Sequence, residues 1–228
     1  ITTMTVVPTI LQMIMDHPRF DGFDFSSIRC LTYGASPMPV ALMERVIEAI
    51  PGITFCQAYG ATETSPVLSV LPPADHVPGN PMIGKLGTVG KPVIYGDLRV
   101  VDENDNPVPT GQSGEVIIRG PQVMNGYWNR PKETAQAMRG GFYHTGDAGF
   151  LDEDGYLTLV GRTKEMIISG GENVYPIETE NALSEHDAVA QAAVIGVPDP
   201  KWGEIVYAVV ALHEGTALSE ADLIAFCR

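Results

Sequence analysis

Glycine occurs 24 times and proline 18 times along this chain of 228 residues. Proline removes a backbone donor and glycine loses the most conformational freedom on ordering, so breakers at this density favour short strands and turns over long helices. Hydrophobic residues make up 44% of the chain and charged residues 18%, ordinary globular usage that argues against wholesale disorder. The length suffices to bury a core without covalent staples. With 28 acidic and 14 basic side chains the formal charge is −14. Gripping a phosphate backbone or an anionic lipid surface needs clustered cations, so neither nucleic acid nor a membrane surface is an expected partner.

The stretch Ile1 to Met15 is apolar, but it lacks a basic flank and is interrupted by Pro8. It is expected to be neither a signal peptide nor a membrane span. At the other end Ser219-Glu220-Ala221-Asp222 has the form of a capping box, and the chain stops at Arg228, which reads as a helix cut in a fragment. Cys30, Cys56 and Cys227 are odd in number and form no C-x-x-C pair, so neither a disulfide framework nor a cysteine zinc site is indicated. With no N-glycosylation sequon either, a cytoplasmic location is expected.

Residues 28 to 60 read as strand, helix, strand. Ile28 to Tyr33 is an apolar run, Met43, Val46, Ile47 and Ile50 recur at helical spacing, and Pro51-Gly52 stops the helix before Ile53 to Phe55. In such βαβ units ligands bind at the loops beyond the carboxyl ends of the strands, here Gly34-Ala35-Ser36 and Ala58-Tyr59-Gly60-Ala61. The proline-rich and glycine-rich residues 66 to 92 are expected to be a connecting loop. From Val93 to Val160 the pattern is a β-meander with acidic turns at 102–107 and 152–155. After Arg162 an α+β module begins: a strand at Met166 to Ile168, a glycine turn, a helix opened by Pro176, and strands at Val189 to Val197 and Ile205 to Leu212.

Some matches fail on chemistry. Asp102-x-Asn104-x-Asn106 starts like a calcium loop, but Pro107 replaces the turn glycine and Ser113 the bidentate glutamate. Gly84, Gly87 and Gly90 precede Lys91 without the spacing or the following hydroxyl of a phosphate loop. The five histidines show no ligand spacing.

Other segments carry usable chemistry. Tyr59-Gly60-Ala61-Thr62-Glu63 offers an aromatic face for a base, a close backbone approach, and a hydroxyl and carboxylate for phosphate-bound magnesium, although a turn with a packed tyrosine fits the same residues. Tyr143-His144-Thr145-Gly146-Asp147 sets a carboxylate where two ribose hydroxyls could donate to it, or simply in a turn. The run from Gly161 to Pro176 joins Arg162 and Lys164 to a strand and to the Gly170-Gly171 turn, which exposes backbone donors.

In this order the segments resemble the adenylate-forming superfamily of acyl-CoA synthetases, peptide-synthetase adenylation domains and beetle luciferases. Agreeing pieces include Gly114-Glu115-Val116-Ile117-Ile118-Arg119-Gly120, Gly126-Tyr127-Trp128 and Asp199-Pro200-Lys201-Trp202-Gly203-Glu204. Gly170-Gly171-Glu172-Asn173 and the Trp202 stretch look most like the fatty-acyl or aryl-acid CoA ligases. His144 departs from the usual Arg or Lys of that family.

The resemblance implies an α/β fold. Residues 1–161 would be the later part of a large N-terminal domain, with an α/β sheet portion at 1–83 and a β-barrel-like portion at 84–161, and residues 162–228 would start a truncated α+β C-terminal domain. It implies ATP, Mg2+ and coenzyme A as cofactors and a small carboxylic acid, most simply a fatty acid, as substrate. Gly34, Ala35, Ser36, Tyr59 and Gly60 would border the adenine, Thr62 and Glu63 would meet phosphate and magnesium, and Asp147 and Arg162 would hold the ribose. Lys164 would be a hinge, and Ser169, Gly170 and Gly171 with Trp202 would line the pantetheine path; Trp202 could also be a packed aromatic. The family's phosphate loop would precede Ile1 and its adenylation lysine would follow Arg228, so the 228 residues alone are expected to be close to inactive. Carrier-protein loading, or non-catalytic nucleotide or acyl-CoA binding, are the alternatives, and the sequence does not define an oligomeric state.

Overall fold

In the computed structural model, which describes residues 1–227, the chain divides into two compact units, Ile1–Thr145 with Gly149–Leu159, and Gly146–Ala148 with Val160–Arg228. The first unit opens with β1 (Thr3–Val6), α1 (Pro8–Met15), β2 (Cys30–Gly34), α2 (Val40–Ala49), β3 (Thr54–Tyr59), β4 (Ser69–Leu71) and β5 (Lys91–Pro92), whose strands form one sheet in the order β1-β2-β3-β4-β5. β1, β2 and β3 are parallel, while β4 and β5 are antiparallel to their neighbours. Pro8 takes the first helical turn of α1, where its missing donor costs nothing, so the break in the apolar stretch is a strand-to-helix junction.

Alternation decides which face is covered. In β2, Leu31 and Tyr33 are buried while Cys30 and Thr32 are half-buried. Leu31 and Tyr33 pack with Leu11, Met43, Val46 and Phe55 into one core, and Met43 and Val46 are fully buried on the inner stripe of α2. Each such side chain contributes about 1.5–3 kcal/mol relative to exposure.

The expected connecting loop at 66–92 needs correction. It holds β4 and β5 and two 3-10 turns, Pro73–His76 and Pro81–Lys85, so the first sheet runs to residue 92. Prolines at the start of both turns read as loop punctuation, and strands of three and two residues are too short for alternation to register.

The meander follows as β6 (Asp97–Val101), β7 (Gly114–Arg119), α3 (Pro131–Ala137), β8 (Tyr143–Leu151) and β9 (Leu157–Arg162), a four-stranded sheet in the order β6-β7-β8-β9. Its core gathers Val100, Val116, Ile118, Tyr143 and Leu157 with Leu68 and Val89 of the preceding segment. Asp102 Oδ1 accepts from the backbone of Asn104 and Asn106, at 2.8 and 2.9 Å, so the calcium-like motif is a self-satisfied turn. In the second unit β10 (Ile167–Ser169), β11 (Glu172–Val174), α4 (Pro176–Ser184), β12 (Val189–Asp199), β13 (Gly203–Leu212) and α5 (Glu220–Phe226) build a sheet ordered β11-β10-β13-β12, with Ile167, Leu183 and Val194 at its core. Ser219 Oγ accepts from Asp222 N at the start of α5, one of the two contacts of a capping box, while Asp222 Oδ2 accepts from the Ser219 hydroxyl. Among the described residues no helix is long and apolar enough to cross a membrane.

A polar network lies inside the first unit. Tyr33 and His76 meet at 2.9 Å through the phenol oxygen and Nε2, while Nδ1 of His76 lies 3.0 Å from Pro72 O. Tyr156 donates to the buried Asp75 at 2.7 Å, and burial pushes the Tyr156 phenol up to about 12. Burial also lowers the pKa of His76 from the ordinary 6.5, so the fold favours the neutral ring. Below 6.5 the unfolded chain therefore binds the extra proton first. The His76 contribution to stability is complete above 6.5 and is lost as pH falls from there through the lowered native value. Urea denaturation across this window should show that loss, and His76→Gln should flatten it.

Candidate functional site

The parallel register places Gly34 opposite Ala58. A Cβ on Gly34 would stand 2.1 Å from Ala58 O, so only glycine lets β2 end this close to β3. Gly34-Ala35-Ser36 consequently leaves the sheet beside Tyr59, the last residue of β3, with Ala35 and Ser36 exposed. Beyond Gly60 the chain enters a 3-10 turn, Thr62–Thr64. Buried Thr64 fixes that turn, its hydroxyl donating to Ala61 O at 2.9 Å and accepting from Ala61 N at 3.0 Å. Thr62 is thereby left exposed and Glu63 half-buried.

Glu63 is held from a distant segment. Tyr127 donates its hydroxyl to Glu63 Oε1 at 2.7 Å, and Met124 N donates to Glu63 O at 2.8 Å. The carboxylate acceptor is the main reason that the Tyr127 phenol is raised above its usual range, with burial second. One carboxylate beside a hydroxyl is a hard-oxygen donor set that suits magnesium, which commonly takes one or two carboxylates and completes its shell with water and substrate phosphate.

Two groups form in the second unit. Arg162 Nε pairs with Asp147 Oδ1 at 2.9 Å, and Gly146 O accepts from both the backbone nitrogen and the hydroxyl of Thr163, at 2.9 and 3.1 Å. Lys164 lies on the exposed turn that follows. The other group is Ser169-Gly170-Gly171 with Trp202. Gly170 N donates to Trp202 O at 2.8 Å, and the indole covers Gly170 so closely that a Cβ there would stand 2.7 Å from the ring. Asp199 Oδ1 accepts from the backbone nitrogens of Lys201 and Trp202, and the Lys201 ammonium lies 4.6 Å from the indole centroid. Trp202 remains 48% exposed, so it is a supported surface aromatic and not a core residue.

One histidine sits in a cluster that spacing along the chain does not reveal. His144 is buried and directs Nδ1 at Glu115 Oε2, 2.9 Å away, with Asp105 in the same group. Arg139 bridges Asp105 and Glu115 at 3.2 and 2.9 Å and already supplies the counter-charge. The contacts of Tyr127 and Asp199 are likewise not visible in residue spacing. Tyr127 lies 64 residues from Glu63, and the only sequence signal was its place in the Gly126-Tyr127-Trp128 match.

A mixed sheet whose three parallel strands come first carries a hydroxyl–carboxylate turn just beyond β3, the end of an α/β sheet at which ligands bind, and a small α+β unit follows in the chain. The AMP-binding enzyme family matches residues 1–128 and the AMP-binding enzyme C-terminal domain matches residues 178–228; the chain belongs to this family. Feruloyl-CoA synthase of Amycolatopsis sp is 44% identical over 228 residues, which is 100% of this chain and 45% of the relative. The fatty acid–[acyl-carrier-protein] ligase ScoC of Streptomyces coeruleorubidus is 42% identical over 226 residues, 99% of this chain and 43% of that protein. The structure of o-succinylbenzoate CoA synthetase (MenE) from Bacillus subtilis with its acyl-adenylate intermediate superposes with a TM-score of 0.85 at 34% identity, covering 100% of this chain and 44% of that one. The chain thus spans less than half the length of these relatives.

Gly170 has φ +62, and a Cβ there would meet the indole. Gly170→Ala is expected to cost about 1–2 kcal/mol in a denaturant titration from the left-handed backbone alone. It should also shift the tryptophan emission, to which only Trp128 and Trp202 contribute.

Proposed function

We propose that the protein carrying this chain is an AMP-forming acid–CoA ligase. The acid carboxylate attacks the α-phosphorus of ATP, the bond to the pyrophosphate leaving group breaks, and the thiol of CoA then displaces AMP from the acyl carbonyl. The observation that carries this reading is the locked Thr62–Thr64 turn, which holds a hydroxyl and a carboxylate at the strand ends beside the Gly34 loop. Bound magnesium supplies charge neutralisation at the phosphate oxygens, with Glu63 and Thr62 the residues to hold it.

Gly34, Ala35, Ser36, Tyr59 and Gly60 border the adenine in this reading, and the Asp147–Arg162 pair takes the ribose. Lys164, on its exposed turn, is the hinge at the start of a C-terminal domain running from 162, after the large domain ending at 161. Ser169, Gly170 and Gly171 with Trp202 line the pantetheine path, the indole offering a flat wall for an extended thiol arm. The substrate acid is hydrophobic, a fatty acid or an aryl acid, in keeping with the half-buried Val67 beside the turn. A second reading, loading of a carrier protein, draws support from the similarity to ScoC.

Acid-dependent ATP–pyrophosphate exchange by the full-length protein, with octanoate, benzoate and ferulate as trial acids, tests the proposal. Exchange with at least one acid, followed by thioester formation with free CoA, is expected; thioester on a phosphopantetheinylated carrier alone would favour the second reading. Nucleotide binding without exchange on any acid would overturn both. Glu63→Gln should lower exchange by about a hundredfold or more, the scale of removing one group that stabilises charge in the transition state.

A further inference from the structure

The turn that bears Glu63 is gripped at two points by one segment far along the chain. Met124 fixes its backbone and Tyr127 fixes its carboxylate, the latter at 2.7 Å. Tyr127 is itself anchored. Its backbone nitrogen donates to Thr134 Oγ1 at 2.9 Å, and that hydroxyl donates in turn to Arg130 O at 2.8 Å on entry to α3. Gly126 lies against the same threonine, where a Cβ would stand 2.6 Å from the methyl carbon. The buried Tyr143 of β8 also hydrogen-bonds with the Tyr127 hydroxyl.

A phenol donating to a carboxylate makes a short, directional, charge-assisted bond. A half-exposed glutamate otherwise samples several rotamers, and freezing them falls on the ligand-binding step unless the protein has already done so. Tyr127 does this through one oxygen, Oε1. Oε2 receives no hydrogen bond from the described residues and is the oxygen left to a cation. We propose that Tyr127 is a positioning residue, whose hydroxyl holds the Glu63 carboxylate in the rotamer that meets nucleotide-bound magnesium. The inference rests on the reading of Glu63 as the magnesium-contacting carboxylate.

The experiment compares full-length wild-type protein with Tyr127→Phe and Glu63→Gln. Calorimetry measures binding of a non-hydrolysable ATP analogue with and without MgCl2, binding of AMP without metal, and, as a direct metal readout, Mn2+ paramagnetic resonance in the presence of the analogue. Tyr127 is 38% exposed and phenylalanine keeps its ring, so the variant is expected to fold. Tyr127→Phe should weaken the metal-dependent part of analogue binding, and Mn2+ affinity with it, by about 10- to 100-fold, the usual cost of losing a group that orients a metal ligand. AMP binding should be unchanged. If Tyr127→Phe lowers AMP and analogue binding equally with and without metal, or changes only the melting temperature, the contact is structural and the proposal fails. If Glu63→Gln itself leaves the metal dependence intact, the placement of magnesium on Glu63 falls first. If Glu63→Gln abolishes it and Tyr127→Phe does not, only the positioning role falls.

Discussion

The close approach of β2 to β3 is the constraint on which the strand-end site depends. At Gly34 the backbones come so near that a side chain would occupy the position of Ala58 O. The contact aligns the ends of two parallel strands, and the loops that leave them must emerge side by side. Neither loop is shaped by its own residues alone. The 62–64 turn is closed by buried Thr64 and braced from Met124 and Tyr127, so the meander segment that follows β7 finishes what the parallel sheet begins.

A chain of charge −14 must manage its own carboxylates. Much of that is done locally. Lys85 bridges Asp152 and Asp154, Arg139 bridges Asp105 and Glu115, and Arg99 and Arg119 share Asp97. Solvent-accessible pairs among these add little to stability, but all of them offset negative charge at the hairpin turns. The overall charge argues against a polyanion-binding surface, and it leaves room for the single metal-bound nucleotide of the proposed function.

Much of the fold was legible because its signals are local. The βαβ unit announced itself through the spacing of Met43, Val46 and Ile50 and the stop at Pro51-Gly52, and the hairpin turns through their acidic tips. β4 and β5 were not legible: Ser69–Leu71 is a strand only because Tyr59 and Lys91 supply partners on either side, information that lies outside the segment. The same holds for the site. Thr62, Glu63, Asp147 and Arg162 could be named from residue type and order, and the last two do pair. Tyr127, His144 with Glu115, and Asp199 beneath Trp202 act across gaps in sequence or through backbone atoms, and neither periodicity nor composition reports such contacts.

The two kinds of sheet also differ in how far the chain must travel to make them. β12 and β13 pair along almost their whole lengths across a tight reversal at residues 199–203, whereas Thr3 must find Cys30 and Cys30 must find Thr54 before the parallel sheet exists. Loop closure delays long-range pairing, and parallel sheets form slowly for that reason. The β12–β13 ladder is thus the natural early structure during folding, and the parallel sheet, with its unforgiving fit at Gly34, is the late and selective step.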